Sequence, residues 1–485
     1  MTLLERLDQV PAGMTKPAFD PAAHGVGIVH LGLGAFLRAH LAIYTEDALA
    51  HSGGDWRILA VGLRSRDSVD ALNAQHGLYT LITRDAESRY RVCGAIAGAV
   101  HAPSEPQRLH AALAAETTRI VSLTITEKGY GIDARTNGLD SDRDDIAADL
   151  ASDVSAPRSA VGWIVAGLAA RRAAGATPFT VLSCDNLSNN GAVLKRLVVE
   201  FAERRDPDLA RWIADSVSFP STMVDRITPA QTEATRTDAR AALGCEDHAA
   251  IETEPFSQWV IEDDFGNGRP DWHLAGAVMA HDVAPYERMK LRMLNGAHSL
   301  IAYAGFLAGH DNVRDAMTDP ALVRRVETHM RAAAQSLDPV PGIDLDAYRS
   351  ALLARFANRA IAHPTYQIAM DGTQKLPPRI FETATIVRNR DGDIASFAFA
   401  TAAWMAYTRG TRDDGTPYAL RDPRQVEIAD ASRSGKTPSA LYDALASLPG
   451  FMPASLRSDD KWCATTITHL TTMLTKSMRA AIDAT

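Results

Sequence analysis

At 485 residues the chain is too long for one ordinary domain and long enough to bury a large core. With 46% hydrophobic and 22% charged residues it has the composition of a soluble globular protein, which excludes disordered and fibrous classes. A formal charge of -9 sets the whole-molecule field against polyanions, excluding non-specific binding to nucleic acid or an anionic membrane surface but not a local cationic pocket for a small acidic substrate.

The opening "MTLLERLDQVPAG" contains acidic residues and no continuous apolar core, unlike a signal peptide, and no apolar run approaches the ~20 residues of a membrane span. Cys93, Cys184, Cys245 and Cys463 are scattered, with neither CxxC pairs nor histidines at metal spacing. That usage suits reduced thiols in a cytoplasmic protein rather than a disulfide framework or structural zinc, so no metal is expected. No repeat or low-complexity tract is visible beyond an alanine bias that favours helix.

The first element, "GVGIVHLGLGAFLRAH", is an apolar β-branched run that reaches Gly32-Leu33-Gly34 where a helical pattern begins. A glycine pair at a strand-to-helix turn lets the backbone approach a pyrophosphate, whose charge is favoured by free N–H groups at a helix start. The third glycine of the dinucleotide fingerprint is replaced by Leu37, so the pair alone is equally well read as a tight turn. Further strand candidates follow at "WRILAVGL", "YTLITR", "RIVSLTIT" and "FTVLSCDN", and "SAVGWIVAGLAARRAAG" is an amphipathic helix closed by Gly175. Alternating strands and helices predict an α/β unit with a mainly parallel, doubly wound sheet, whose ligands bind outside the carboxyl ends of the strands. Thr126-Glu127-Lys128 and Asp185-Asn186 stand at two such ends. For Asp185 and Asn186 turn or capping chemistry is the competing role.

From about Pro285 the texture becomes helical. Asp282 is a candidate cap and Pro285 suits a first helical position, so the expected domains are 1–282, dinucleotide-binding, and 283–485, mainly α-helical. The loop "LDPVPGIDL" and the run "KLPPR" are expected to interrupt the second domain. Its first helix carries Lys290, Asn295 and His298 among apolar residues; at about 100° per residue they share an arc of roughly 140° and span about 12 Å. Such spacing suits convergence on one small ligand. A snorkelling lysine with two locally bonded polar residues is the structural alternative.

"KLRMLNGAHS" resembles the Lys-x4-Asn-x2-His signature of the polyol-specific long-chain dehydrogenases, the group that includes mannitol 2-dehydrogenases and fructuronate reductases. The similarity continues through "HLGLGAFLRAH", "LTITEKGYGID", "SCDNLSNNG", "FPSTMVDRITP" and "EPFSQWVIEDDF", covering nearly the whole chain. The resemblance implies a Rossmann-type domain followed by a helical one, an active site in the cleft, and metal-independent hydride transfer between a nicotinamide cofactor and a secondary alcohol. It makes Lys290 the general acid/base, a role that requires partial desolvation because a free lysine titrates near ~10.4. It makes Asn186 and Asn295 the donors to the developing alkoxide and His298 the group that orients substrate. It also implies substrate contacts at Asp225, at Lys375 and near Gln367, with Glu287 in proton exchange. The cofactor is expected at Gly32, Gly34, Ala35, Phe36, Arg38, Arg64, Asp67 and Glu127.

Tyr286 and Lys290 also spell Tyr-x3-Lys, the pair of short-chain dehydrogenases, but no serine lies about a dozen residues upstream. A zinc-dependent polyol dehydrogenase would need a Cys, His and carboxylate set at metal spacing, which the chain lacks. A nucleotide sensor without turnover predicts loss of the base or its donors, yet all four catalytic candidates are present. The segment "HPTYQIAMDGTQKLPPR" is closer to fructuronate reductases than to mannitol 2-dehydrogenases, which carry an Arg near Gln367. A hexuronate carboxylate needs cations, and His363, Lys375 and Arg379 are candidates. The implied activity is therefore D-fructuronate/D-mannonate interconversion, with mannitol-to-fructose oxidation the alternative. NAD is the expected cofactor, with NADP also admitted: Arg64 stands where NAD-preferring relatives are acidic, and Asp67 is an alternative ribose clamp. The expected partner is a small sugar acid or polyol, and the expected assembly a monomer or weak homodimer.

Overall fold

The computed structural model describes residues 2–133, 135–151 and 156–484. Its contacts divide the chain into two compact units, Met1–Ala284 and Pro285–Thr485.

The strands in the first unit are β1 (Val26–Leu31), β2 (Arg57–Gly62), β3 (Tyr79–Thr83), β4 (Arg89–Cys93), β5 (Ile96–His101), β6 (Ile120–Leu123), β7 (Thr180–Ser183), β8 (Thr222–Asp225), β9 (Ile251–Thr253), β10 (Gln258–Glu262) and β11 (Val278–Ala280). Five of them form a sheet in the order β5-β2-β1-β6-β7, and every pairing in it is parallel. Successive side chains leave a strand on opposite faces. Ile28, Ile58, Ala60 and Ile120 accordingly enter one core, with the helices Leu41–Ser52 and Asp67–Ala74, while Val29, Leu31, Val61, Val121 and Val181 enter another, with the helices Pro106–Ala114, Ala160–Ala174 and Asn190–Glu203. Both faces are covered, which is why the strands read as near-continuous apolar runs. This is the doubly wound Rossmann-type arrangement expected from the alternation of strands and helices.

Two departures from the sequence pattern are informative. "YTLITR" is a strand, β3, but it lies outside the parallel sheet, pairing antiparallel with β4 and parallel with β9. The edge strand of the main sheet is instead β5, "IAGAVH", whose small residues give little β signal.

The second unit is helical. Its centre is the helix Gly296–Leu307, all twelve residues of which are buried, packed by Pro320–Ala334, Thr365–Ala369 and Ala395–Tyr407. Being buried all round, it has no amphipathic stripe to read. The chain enters it through Ala284–Met289, whose first N–H is capped by the Asp282 carboxylate at 2.8 Å, and then through a π-helical stretch, Lys290–Asn295. A second π stretch, Pro377–Phe381, joins Gly372–Leu376 to Glu382–Asn389 and packs against the first. The Pro377-Pro378 pair thus does not interrupt the helix as the sequence suggested. Without two backbone N–H donors the chain cannot close α bonds there, and it widens one turn instead.

Candidate active site

In the first unit the strand order reverses between β1 and β6, the position at which doubly wound sheets bind ligands. A cleft of about 290 Å³ opens there, lined by Gly32, Gly34, Arg64, Thr124, Thr126 and Ser159 among others. Gly32 has φ +107°, and a Cβ on it would come within 2.1 Å of the Thr124 carbonyl oxygen, so only glycine lets the β1 and β6 loops meet. A Cβ on Gly34 would meet nothing closer than the Gly32 oxygen at 3.9 Å. Its missing side chain leaves open space along the cleft, the room that a pyrophosphate takes when it lies against backbone.

The cleft wall is held by buried polar residues. His30, in the middle of β1, spans Ser122 Oγ at 2.8 Å and Thr124 Oγ1 at 2.7 Å, and burial pushes its pKa down to about 3, which keeps the ring neutral. Asp185, at the end of β7, accepts from the N–H groups of Ile125 and Thr126, each at 2.9 Å, and from the Tyr130 hydroxyl at 2.8 Å. Burial raises the Asp185 pKa against the lowering effect of these bonds. Thr126 adopts φ +63°, uncommon for a β-branched residue, and Asp185 fastens it in that conformation. Asp185 is therefore a staple for the loop. Asn186, the next residue, is exposed at the same strand end, and Asp225, the last residue of β8, is buried.

The cofactor residues expected from sequence divide. Gly32, Gly34 and Arg64 line the cleft; Ala35, Phe36, Asp67 and Glu127 are not among its lining residues. Arg38 is turned inward, donating to the Ala249 carbonyl at 2.6 Å and to the Gly34 carbonyl at 3.3 Å. Phe36 stacks on His40, with ring centroids 4.8 Å apart. The helix after Gly34 is short, ending at Ala39, and the longer helix that begins at the cleft is Ala160–Ala174. Its cap, Ser159, was missed in the sequence although a serine before an apolar helix is a capping signal. Arg143 and Arg158 line the cleft from a connecting segment that carried no readable signal.

In the second unit the π stretch corrects the helical-wheel geometry. Five residues along an α-helix, Lys290 and Asn295 would point roughly 140° apart. Closing i→i+5 bonds widens the turn and brings the fifth residue back over the first, so both fall on one side with His298 three residues on. Lys290 is only 7% exposed, Asn295 is half-buried, and Glu287 is half-buried one turn before the lysine. Tyr286 is accounted for structurally, its hydroxyl donating to the Pro341 carbonyl at 2.8 Å.

The His298 ring lies against Phe356 at 4.5 Å and edge-on to His363 at 5.3 Å, and its Nε2 is buried with no hydrogen-bond partner. Burial pushes the His298 pKa well below the usual range, and His363, Arg355, Arg379 and Lys290 lower it further. His363 is pushed down to about 4, by burial and then by Arg355 and Lys375. Both imidazoles are neutral in a strongly cationic setting. Lys375 Nζ donates to the Ile368 carbonyl at 3.1 Å and Arg379 to Ser299 Oγ at 3.4 Å, which fix these two cations on the helical scaffold; Gln367 is exposed. Arg355 was missed because nothing in its helical surroundings distinguishes it from a surface arginine.

Among the described residues, no group of three or more His, Cys, Asp or Glu side chains is arranged to hold a metal ion, and no helix is long and apolar enough to cross a membrane.

Comparison with known proteins agrees with this division. Residues 26–274 match the mannitol dehydrogenase Rossmann domain and residues 282–449 the mannitol dehydrogenase C-terminal domain. The D-mannonate oxidoreductase of Escherichia coli is 43% identical over 421 residues, covering 86% of each chain. A mannitol 2-dehydrogenase of Aspergillus fumigatus is 39% identical over 446 residues, 90% of this chain and 88% of its own. The Pseudomonas fluorescens mannitol 2-dehydrogenase, solved as a ternary complex with NAD and D-mannitol, superposes with a TM-score of 0.85 at 36% identity over 99% of both chains. A doubly wound sheet with a glycine cleft at its reversal point, followed by a helical unit with a buried lysine, is thus matched along its length: the chain belongs to the mannitol dehydrogenase family of NAD-dependent oxidoreductases that act on secondary alcohols.

Proposed function

We propose that this enzyme interconverts D-fructuronate and D-mannonate, with the first unit binding the dinucleotide and the second binding and deprotonating the sugar acid. The observation that carries this choice is the cationic setting of His298. Arg355 and Arg379 act on it and Arg355 and Lys375 on its neighbour His363, cationic side chains that a carboxylate uses and a neutral polyol does not need.

When bound, the nicotinamide supplies the hydride acceptor for oxidation. Lys290, 7% exposed, takes the hydroxyl proton onto Nζ in its neutral form and returns it in the reverse direction. Asn295, held over Lys290 by the π turn, donates its carboxamide N–H to the oxygen as negative charge develops. Asn186 is assigned a second such donor and Asp225 a polar contact to the sugar. His298, neutral and with Nε2 unpartnered, hydrogen-bonds and orients a hydroxyl of the substrate. Glu287 exchanges the lysine proton with solvent.

Oxidation of mannitol to fructose is the competing activity, supported by the similarity to mannitol 2-dehydrogenases. Initial rates with D-mannonate and D-mannitol, at matched concentration and followed by nicotinamide absorbance, separate the two. The proposal expects kcat/KM for mannonate to exceed that for mannitol by about 10²-fold, the equivalent of one well-placed charge-assisted contact. A preference for mannitol overturns it.

A further inference from the structure

One turn beyond Asn295, the helix Gly296–Leu307 buries a hydroxyl, that of Ser299, which is 2% exposed. Its Oγ donates to the Asn295 carbonyl at 3.2 Å and accepts from Arg379 Nη1 at 3.4 Å. The polarity of this chain is fixed, because a guanidinium has only donors and a hydroxyl has a single proton. Arg379 must donate to Ser299, and the Ser299 proton is left for the Asn295 carbonyl. A bond received from a cation polarises the hydroxyl and strengthens the bond that it makes in turn.

A hydroxyl bonded to the carbonyl four residues back is common in helices and by itself says little. Thr383, Thr385 and Thr401 make the same bond, to the carbonyls of Arg379, Phe381 and Phe397. Among the described residues none of these three also accepts from a charged donor, whereas Ser299 does. The place of the Ser299 bond is also distinctive. Asn295 is the last residue of the π stretch that gathers it with Lys290, and the N–H of the next residue, Gly296, still bonds five residues back, to the Leu291 carbonyl. The middle of that stretch is anchored by Arg292, whose Nη1 donates to the Ser336 carbonyl at 2.8 Å; its end is anchored by Ser299. Arg379 belongs to the second π stretch, Pro377–Phe381, and a Cβ on Gly296 would already touch the Arg379 carbonyl oxygen, at 3.5 Å, so the two stretches meet at backbone distance.

From this arrangement we propose that Ser299 is a positioning residue: by tying the Asn295 backbone to the Arg379 guanidinium, it holds the carboxamide where the negative oxygen of the substrate develops. The proposal rests on the assignment of Asn295 as the donor to that oxygen, and not on the choice of sugar. A group that acts through such a donor is felt in the transition state more than in binding, so its removal lowers kcat and spares KM.

Steady-state kinetics, with the better substrate of D-mannonate and D-mannitol, and thermal unfolding are measured on the full-length protein. The variants are Ser299→Ala, Ser299→Thr, Arg379→Ala and the double variant that combines Ser299→Ala with Arg379→Ala. Ser299→Ala is expected to lower kcat about tenfold, the worth of one hydrogen bond to a charged group, with KM within about twofold of wild type. Threonine keeps an oxygen that reaches the carbonyl four residues back, and Ser299→Thr is expected to hold kcat within about threefold of wild type. In the Arg379→Ala background the loss caused by Ser299→Ala shrinks to about twofold, because the two residues act through one chain. Wild-type kcat in Ser299→Ala, a loss confined to KM, or a loss that persists undiminished in the Arg379→Ala background overturns the proposal. So does a Ser299→Thr protein that unfolds at the wild-type temperature but is as slow as Ser299→Ala. Wild-type kcat in Asn295→Ala overturns the donor assignment and the role of Ser299 together, whereas a preference for mannitol overturns only the choice of sugar.

Discussion

The two units bury ionisable groups for different purposes. In the first, buried carboxylates hold backbone N–H groups at loops. Asp185 holds Ile125 and Thr126, Asp247 holds Thr80 and Ala249, Asp149 holds Arg158 and Ser159, and Glu46 holds Gly94 and Ala95. Each group replaces water for donors that would otherwise be orphaned, and those of Asp185 and Asp149 fix residues that line the cleft. In the second unit Asp319 and Asp459 cap helices, and the bases His298, His329 and His363 carry buried ring nitrogens with no hydrogen-bond partner among the described residues. A satisfied buried polar group stabilises a shape, whereas an unsatisfied one costs stability. The first unit thus uses buried carboxylates to hold main chain, while the second gathers buried imidazoles.

The most severe way to break this comparison is to remove the buried amine. Lys290→Ala is expected to lower kcat about 10³-fold or more, with unchanged circular dichroism; near-wild-type turnover would remove the general base from the second unit. Asn295→Ala is expected to lower kcat about 10²-fold with a smaller change in KM, because the donor matters most when charge develops. An effect confined to KM would show that Asn295 only binds substrate.

Acid should tell the units apart. His329, His363 and His469 titrate at about 4 in the folded protein, and His298 is also lowered, so between pH 6.5 and 4.5 the unfolded second unit binds more protons. Its stability therefore falls with falling pH through that window, by up to about 1.4 kcal/mol per pH unit for each histidine. In the first unit His30 acts in the same direction, but Glu46, raised to about 7 by burial, binds its proton in the folded state and acts in the opposite one, as do the raised Asp185 and Asp247. Hydrogen exchange at pH 7.5 and 5 is expected to show the helical unit loosening first; simultaneous loosening of both would contradict the assignment of these groups.

Asp185→Ala leaves two loop N–H groups without their acceptor and is expected to cost about 1–3 kcal/mol by urea denaturation, while weakening NADH binding. If affinity and stability are both unchanged, the staple is dispensable. The smallest effect is expected for Tyr286→Phe, which loses one hydrogen bond to Pro341, about 1 kcal/mol, and retains activity. A loss comparable to that of Lys290→Ala would revive the short-chain pairing of Tyr286 with Lys290.

Much of the first unit was legible because its strands are buried on both faces and announce themselves as apolar runs, and because glycines mark the turns. β5 was not legible, since its Ile-Ala-Gly-Ala pattern is strand-forming only when neighbours cover it. The orientation of Arg38 was not legible either, since it is set by the Ala249 carbonyl, far away in sequence. Asp185 and Asn186 stood out together, and only the bonds to Ile125, Thr126 and Tyr130 distinguish the loop staple from its exposed neighbour.

Local chemistry, which depends on residue type and near spacing, was determined by the sequence alone: the glycine turn after β1, the Asp282 cap, the lysine, asparagine and histidine on one helix. The tertiary structure alone decided which of these point where. The π turn that gathers Lys290 and Asn295, the burial that holds His298 and His363 neutral, and the removal of Asp67 from the cleft all depend on groups brought from elsewhere in the chain. Packing and desolvation are properties of the assembled neighbourhood, and no window of sequence contains them.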